Sequence, residues 1–345
     1  MTQNYSSNMY YFQHVSDKVD FNTLHRPTII GHRGSIYEEP ENTIRGFEIA
    51  YENGSEAVEL DIFLLKCGTL VAFHGGGPDE DPGQLHEYCG INANILDYTA
   101  EEARKLKFSP SCEEYACPKD KLAADYAFIP TLKEVLAAAK KSGWTLTLEL
   151  KGPGTAEPVL KLVEEMDMVG SCLFSSFKHE RIAKVRKLRP QKNEDGSYKY
   201  KTGALFKDGL PDNFIQLALN VGASEVHLKY DTCAKERIEA IHAKGMKSMA
   251  WLRGPVGMIE DVTYKYHDVG NEDETMYLTL MSTGVQSLCV NRPKVLFGLL
   301  KRLEATTILD GEAIMHLGTT LHVQNIHETH PYKQENRTDF LRAIA

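Results

Sequence analysis

Runs of apolar, strand-forming residues alternate with helical patterns along most of this chain, and this alternation constrains the fold more than any single motif. A strand followed by a helix and another strand predicts a parallel sheet, because the helix returns the chain to the edge where the next strand begins. One early run, 70–74, follows its predecessor after a short turn and is interpreted as the second arm of a hairpin. Eight other strands remain, enough to close a (β/α)₈ barrel of the TIM type, in which active residues lie at the carboxyl ends of the strands. These strands are predicted at 28–30, 56–65, 145–150, 171–176, 202–206, 224–228, 246–251 and 285–290.

Helical patterns fill the intervals between these strands, with one exception. Residues 75–127 are rich in Gly, Pro, Asp and Cys, contain a short helical pattern at 100–107, and are interpreted as a small lid-like insertion after the hairpin. The predicted organisation is an N-terminal extension over 1–26, a barrel over 27–300 and a C-terminal extension over 301–345. The remaining helices are predicted at 43–52, 132–141, 156–166, 179–188, 212–220, 235–244 and 255–266.

Composition limits the partners that this α/β protein is expected to have. The chain has 345 residues, a net charge of −9 and no basic stripe, which argues against nucleic-acid binding. No apolar run approaches the length of a membrane span, so stable membrane insertion is not expected. Seven scattered cysteines favour reduced thiols, and no signal-peptide pattern opens the chain, so a cytoplasmic protein is expected. The C-terminal extension is expected to pack on the barrel or on a second subunit of a homodimer.

The segment His32-Arg33-Gly34 lies where the first predicted strand passes into a loop. A histidine can transfer a proton near neutral pH, and an arginine can bind phosphate oxygens in a bidentate manner. Glycine allows a ligand to approach the backbone closely. The three residues together indicate a site for a phosphate ester.

Two carboxylates, Glu59 and Asp61, alternate with apolar residues in the second predicted strand and therefore point to the same face. Neighbouring carboxylates in an apolar strand are unfavourable unless a cation shares the face, so this face is either solvated or binds a hard divalent cation. The hairpin that follows ends on His74 and returns this side chain to the carboxylate pair. A lone histidine at a strand end is usually structural, but its return to two carboxylates favours a catalytic role.

A third acidic residue, Glu149, lies in another apolar strand, with Lys151 two positions later on the same face. The pair could bridge to neighbouring strands as a buried ion pair. Alternatively, Glu149 supplies a third metal carboxylate and Lys151 neutralises the phosphate of a substrate. Three carboxylates without a zinc-type Cys/His spacing favour Mg²⁺ or Ca²⁺.

Taken in order, these motifs resemble the glycerophosphodiester phosphodiesterase family, and the resemblance extends over roughly residues 28–300. It implies a TIM barrel that hydrolyses glycerophosphodiesters. The segments that carry it are His32-Arg33-Gly34, Pro40-Glu41-Asn42-Thr43, Phe47-Glu48-Ile49-Ala50, Val58-Glu59-Leu60-Asp61, Val71-Ala72-Phe73-His74, Ile129-Pro130-Thr131-Leu132 and Leu148-Glu149-Leu150-Lys151. Weaker matches are Ser175-Ser176-Phe177, the stretch 245–251 and the stretch 284–293.

The chain departs from the family pattern at three places, none of which removes a residue assigned to catalysis. Gly75 follows His74 where the family usually has aspartate, and Cys67 replaces the aspartate of a Lys-Asp-Gly turn. Asn291 replaces the aspartate of a Thr-Asp-x-Pro segment. The run Gly75-Gly76-Gly77 predicts an open, weakly charged and mobile wall beside the leaving group, and hence tolerance of several head groups.

The resemblance implies that one divalent cation, Mg²⁺ or Ca²⁺, binds Glu59, Asp61 and Glu149. Arg33 and Lys151 would then bind the substrate phosphate and balance the charge that develops on it.

The resemblance further implies that His32 and His74 act as acid and base, in an order that the sequence does not decide. The 2-hydroxyl of the substrate attacks phosphorus, the alcohol leaves, and water opens the resulting cyclic phosphate to give sn-glycerol 3-phosphate. Trp251 and Phe177 are expected to contact the glycerol carbons, with plain core packing as the alternative for both.

Three other functions compete with this interpretation. A sphingomyelinase D-like phospholipase shares the barrel and the order of histidines and carboxylates, but the Pro40-Glu41-Asn42-Thr43 segment and the absence of a signal-peptide pattern count against it. A lysophospholipase D would need an apolar acyl channel near Gly75. A non-catalytic barrel that senses a phosphodiester would have no need of two proton-transferring histidines.

Overall fold

In the computed structural model of the protein, which describes residues 24–77, 81–109, 116–252 and 272–306, the strands form one nine-stranded sheet. Its strands are β1 (Thr28–His32), β2 (Ala57–Leu64), β3 (Leu70–Ala72), β4 (Thr145–Leu150), β5 (Cys172–Ser176), β6 (Lys201–Phe206), β7 (Glu225–Lys229), β8 (Lys247–Trp251) and β9 (Ser287–Val290). All pairs are parallel except β2 with β3, and β1 pairs with both β2 and β9, so eight strands close into a barrel. The predicted (β/α)₈ barrel is therefore confirmed.

The predicted hairpin is the one antiparallel element of this sheet. The first part of β2 pairs with β1, and its last residues, Ile62 to Leu64, pair instead with β3. Gly68 closes the turn with a φ of +83°, which glycine adopts without strain. The hairpin thus projects beyond the barrel rim, and the chain after β3 returns toward the end of β2.

Helices surround the barrel in the intervals that the sequence indicates. They are α1 (Ile44–Glu52), α2 (His86–Cys89), α3 (Ala100–Lys105), α4 (Leu132–Ser142), α5 (Ala156–Glu165), α6 (His179–Leu188), α7 (Phe214–Asn220), α8 (Lys235–His242), α9 (Glu274–Ser282) and α10 (Pro293–Thr306). Local chemistry fixes their ends: Thr131 and Glu134 form a reciprocal capping box at the start of α4, and Gly143 ends it with a φ of +74°. The helices α2, α9 and α10 are absent from the prediction, and α10 continues past the predicted barrel boundary at 300. The helix predicted at 255–266 lies outside the described residues.

The main core lies between the strands and the helices, because alternate strand residues face outward. Val58 and Leu148 are fully buried in one such cluster with Val135 and Ala139 of α4. Burying each large aliphatic side chain stabilises the fold by about 1.5–3 kcal/mol. Residues of the opposite face fill the barrel interior, where Ile30, Ala57, Met249 and Cys289 form a small separate cluster.

Within the insertion, the described residues 81–109 and 116–127 pack around an apolar cluster of their own. Tyr88, Ile95 and Leu122 are buried there against Phe63 of β2 and Phe73 of the hairpin. The insertion is therefore joined to the barrel through apolar side chains of the hairpin. In the part of the chain that the structure describes, none of the helices has both the length and the apolar character needed to cross a lipid bilayer.

Candidate active site

Strand register brings the three predicted metal carboxylates together at the carboxyl ends of neighbouring strands. His32 of β1 lies beside Glu59 of β2, and Asp61 lies beside Glu149 of β4. One carboxylate oxygen from each of Glu59, Asp61 and Glu149 lies within 4.8 Å of the others. Parallel pairing thus brings Glu59 and Glu149, which are 90 residues apart in the sequence, into a single acidic cluster.

The electrostatics of this cluster fit a divalent cation. Burial, together with the neighbouring charges of Asp61 and Glu149, raises the pKa of Glu59 well above its usual value. Burial and the charge of Asp61 likewise raise the pKa of Glu149 to about 7. Carboxylate oxygens are the kind of ligand that Mg²⁺ and Ca²⁺ bind, and such a cation would relieve the repulsion among these three side chains.

Asp61 is the member of the cluster that the protein keeps ionised. Burial alone would raise its pKa, but Lys151 and Arg33 outweigh this effect and lower it. Lys151 Nζ lies 3.4 Å from Asp61 Oδ1, and Arg33 Nε lies 3.7 Å from Asp61 Oδ2. Arg181 of α6 donates to the carbonyl oxygens of Leu150 at 2.7 Å and Lys151 at 2.5 Å, so it fixes the end of β4 that carries the lysine.

The loop after β1 holds Arg33 in an unusual backbone conformation. Arg33 has a φ of +57°, and its N–H donates to Glu59 Oε2 at 3.2 Å. Its buried guanidinium donates to Glu41 Oε2 at 3.0 Å. Gly34 follows with a φ of +98°, and a Cβ at this position would lie 2.8 Å from the backbone of Gly46. The glycine of the motif is therefore required by helix α1, which crosses directly over it.

Asn42 is a functional candidate to which the sequence analysis assigns no role. Its side chain donates to Asp61 Oδ2 at 3.0 Å and accepts from the Asp61 backbone N–H at 3.1 Å. Like Arg33, it adopts a positive φ, of +55°. Together with Glu41, it explains why the Pro40-Glu41-Asn42-Thr43 segment accompanies the His-Arg-Gly motif: the side chains of Glu41 and Asn42 bind Arg33 and Asp61.

His32 is buried between the acidic cluster and β9. Its Nε2 lies 3.9 Å from Glu59 Oε2, and its Nδ1 lies 2.9 Å from Asn291 Oδ1. Burial and the nearby charge of Arg33 lower the pKa of His32 to about 3. The imidazole is therefore neutral near pH 7, as a proton acceptor must be.

His74 is half-buried at the end of the hairpin, directly after Phe73, whose backbone N–H donates to the Asp61 carbonyl at 3.0 Å. Burial and the charges of Arg33 and Lys151 lower its pKa well below the usual value. Its Nδ1 lies 2.8 Å from the hydroxyl oxygen of Tyr88, which belongs to α2 of the insertion. The prediction did not include Tyr88, because only the folded insertion brings it to the hairpin.

The glycines after His74 do not form the open wall that their composition predicted. The Gly76 N–H donates to the Gln84 carbonyl at 2.9 Å, and the Gly76 carbonyl accepts from the Gln84 N–H at 3.0 Å. A Cβ on Gly75 would lie 2.6 Å from Gly83 Cα, and one on Gly76 would overlap the Glu87 carboxylate. The prediction of an open wall is therefore wrong, because the Gly83 backbone packs against Gly75 and the Glu87 carboxylate packs against Gly76. The predicted mobility of this loop stays a prediction.

The two aromatic residues predicted for the substrate pocket contact each other. Trp251 ends β8 and Phe177 follows β5, and their rings meet edge to face at a centroid distance of 5.5 Å. Trp251 Nε1 donates to the Phe206 carbonyl at 3.0 Å, which orients the indole. Both residues lie at the carboxyl edge of the barrel, the edge that carries the carboxylates.

Comparison with known proteins agrees with this arrangement. A family model described as the glycerophosphoryl diester phosphodiesterase family matches residues 32–295. The glycerophosphodiester phosphodiesterase of Caldanaerobacter subterraneus subsp. tengcongensis is 30% identical over 232 residues, which cover 65% of this chain and 84% of that protein. A Bacillus altitudinis protein of the same name is 33% identical over 168 residues, covering 47% of this chain and 62% of that protein.

A solved structure shows the same fold with a ligand. An Oleispira antarctica phosphodiesterase in complex with the product sn-glycerol-3-phosphate superimposes with a TM-score of 0.62 at 21% identity, over 81% of this chain and 98% of that one. At this level of identity the likeness concerns the fold alone.

Proposed function

This chain belongs to the glycerophosphoryl diester phosphodiesterase family, and from that premise we propose that it hydrolyses glycerophosphodiesters to sn-glycerol 3-phosphate and an alcohol with one bound divalent cation. The observation that carries the proposal is the placement of two buried or half-buried histidines, His32 and His74, beside a cluster of three carboxylates. Glu59, Asp61 and Glu149 would hold Mg²⁺ or Ca²⁺. When bound, the cation supplies a Lewis acid that polarises the phosphoryl oxygens.

Phosphate binding and proton transfer are assigned to side chains of the chain itself. Arg33 and Lys151 bind the negatively charged phosphate, and both already lie within 4 Å of Asp61. His32 accepts the proton of the substrate 2-hydroxyl as that oxygen forms a bond to phosphorus. His74 donates a proton to the alcohol oxygen as its bond to phosphorus breaks. In the free protein, burial and the charges of Arg33 and Lys151 lower the pKa of His74. The negative charge of the bound substrate offsets the two cations, and His74 takes up a proton from solvent as the substrate binds, before it acts as the acid.

The second half-reaction reverses these roles, so that protons and bonds balance. Water attacks the cyclic phosphate and gives its proton to His74, which is now neutral. The bond from phosphorus to the 2-oxygen breaks, and protonated His32 returns its proton to that oxygen. Trp251 and Phe177 would pack against the glycerol carbons at the mouth of the barrel.

Substrate and metal assays test this proposal directly. Purified protein is incubated with glycerophosphocholine, lysophosphatidylcholine or sphingomyelin, and release of glycerol 3-phosphate and choline is measured. Glycerophosphocholine should be hydrolysed, activity should disappear after exhaustive chelation, and Mg²⁺ or Ca²⁺ should restore it. Full activity after chelation would contradict the metal assignment, and preference for either lipid would favour one of the phospholipase D functions.

A further inference from the structure

We infer that Glu272 and Asn291 together fix the tautomer of His32, so that Nδ1 carries the proton and the Nε2 lone pair faces the acidic cluster. The catalytic consequence of this inference rests on the proposed function, whereas the tautomer itself is a property of the fold. Neither Glu272 nor Asn291 contacts the reacting atoms, so both are positioning residues.

Asn291 is the link between the histidine and a buried carboxylate. It follows β9 directly, and both Asn291 and Glu272 are fully shielded from solvent. Asn291 Nδ2 donates to Glu272 Oε2 at 2.8 Å, and the Asn291 backbone N–H donates to Glu272 Oε1 at 2.8 Å. The Asn291 side chain therefore bridges Glu272 on one side and His32 on the other.

The orientation of the Asn291 amide follows from this bridge. The amide group has one donor end and one acceptor end, and a carboxylate accepts hydrogen bonds only from donors. Because Nδ2 faces Glu272, Oδ1 faces His32 Nδ1 at 2.9 Å. Two acceptors would repel each other at this distance, so Nδ1 must carry the hydrogen. In a neutral imidazole Nε2 then has the free lone pair.

Glu272 is held as a carboxylate anchor by its other neighbours. The Tyr277 hydroxyl and the Arg292 backbone N–H also donate to Oε1, at 2.6 Å and 2.9 Å. Burial raises the pKa of Glu272, but these donors and the two from Asn291 favour its ionised form. An aspartate at position 291 would accept from His32 with either oxygen and would need no such anchor. With asparagine at this position, the glutamate decides which end of the amide faces His32.

Three variants separate this inference from a structural role of the same residues. In Glu272→Gln, a side-chain NH₂ replaces the oxygen that faces Asn291 Nδ2, so the Asn291 amide should reverse and present its NH₂ to His32. The histidine should then adopt the Nε2–H tautomer, and kcat should fall by about 10–100-fold, the usual effect of losing an orienting partner. In the double variant Glu272→Gln with Asn291→Asp, the glutamine donates to the new aspartate, which again accepts from Nδ1. This exchange keeps the net charge and should restore both the Nδ1–H tautomer and most of kcat.

The tautomer is read by long-range ¹H–¹⁵N NMR of ¹⁵N-histidine-labelled protein, with His32→Gln used to assign the signals. Glu274→Gln is the matched control, because it makes the same substitution two residues away, at a carboxylate that forms an ion pair with Arg302. The control should leave the tautomer of His32 unchanged.

An Nε2–H tautomer in the unmodified protein, or an Nδ1–H tautomer that persists in Glu272→Gln, would overturn the inference. The spectrum of the unmodified protein tests it even where Glu272→Gln does not fold. A protein that shows these tautomers but hydrolyses no glycerophosphodiester would refute the proposed function alone. A protein that hydrolyses glycerophosphodiesters, but whose His32 tautomer does not change in Glu272→Gln, would refute the positioning role alone.

Discussion

Replacement of Glu149 by glutamine should make the metal-free protein more stable at alkaline pH while it weakens metal binding. In the folded protein the pKa of Glu149 is raised from 4.5 to about 7, mainly by burial and by the charge of Asp61. The folded state therefore binds this proton more tightly than the unfolded chain. As pH rises through the window from 4.5 to about 7, folding stability decreases, because the unfolded state releases the proton first.

The size of this effect follows from the pKa difference. At about 1.4 kcal/mol per pKa unit, the shift corresponds to roughly 3 kcal/mol above pH 7. Glu149 retains some exposure at the rim of the barrel, and solvent screening reduces this value, so a gain of about 1–3 kcal/mol is expected for Glu149→Gln at about pH 8. At about pH 5, near the lower end of this window, the difference from the unmodified protein should fall below about 1 kcal/mol.

The assay is urea unfolding in the presence of a chelator at several pH values between about 5 and 8. Glu239→Gln, which removes an exposed carboxylate on α8, is the matched control and should follow the unmodified protein at every pH. Added Mg²⁺ or Ca²⁺ should then stabilise the unmodified protein more than Glu149→Gln, because binding to the folded state alone raises stability. Parallel pH profiles for the unmodified protein and Glu149→Gln would refute the reasoning.

Three further predictions follow from the site and the core. His32→Ala or His74→Ala should lower kcat by about 10²–10⁴-fold while the protein still folds, and a variant that loses its fold instead would indicate a structural histidine. His32→Ala should also lower the free energy of unfolding by about 1–3 kcal/mol, because it leaves the buried Asn291 Oδ1 without its donor. Tyr88→Phe removes the hydroxyl next to His74 Nδ1 and should lower kcat by roughly tenfold or less; unchanged steady-state kinetics would show that this contact does not orient the ring. Leu148→Ala empties a fully buried site on the helix-facing side of β4 and should lower the free energy of unfolding by about 2–5 kcal/mol. Because this side chain faces away from the acidic cluster, kcat below the melting temperature should stay the same, and a large loss of kcat would contradict the assigned direction of the strand.

The family, the barrel and the acidic cluster could be predicted because each depends on short-range patterns that repeat. Glu59 and Asp61 share a face by strand geometry alone, and Glu149 joins them because neighbouring parallel strands end at the same edge. The fold and the family are confirmed. The catalytic and substrate-binding roles of individual residues remain predictions.

The supporting residues could not be predicted because their partners are distant in the sequence and are met only after folding. Tyr88 reaches His74 through the packing of the insertion, and Glu272 reaches His32 through Asn291. Neither contact leaves a periodic pattern. The glycines after His74 led to a wrong interpretation for a related reason. Composition shows that a glycine has conformational freedom, but it does not show that a second segment of the chain occupies the space beside its Cα.

The packing of the insertion against the hairpin has a consequence for how the protein loses activity on heating. Tyr88 contacts His74, while Lys121 and Tyr126 bind Glu39 in the loop that carries Arg33. A local opening of the insertion would therefore release both sides of the site while the barrel remains folded. The opening free energy measured by amide hydrogen exchange in the insertion should consequently equal the one that governs thermal inactivation. It should be smaller than the opening free energy of the β-barrel amides. The temperature at which the protein stops working would then be set by this cooperative unit and not by the melting of the whole chain.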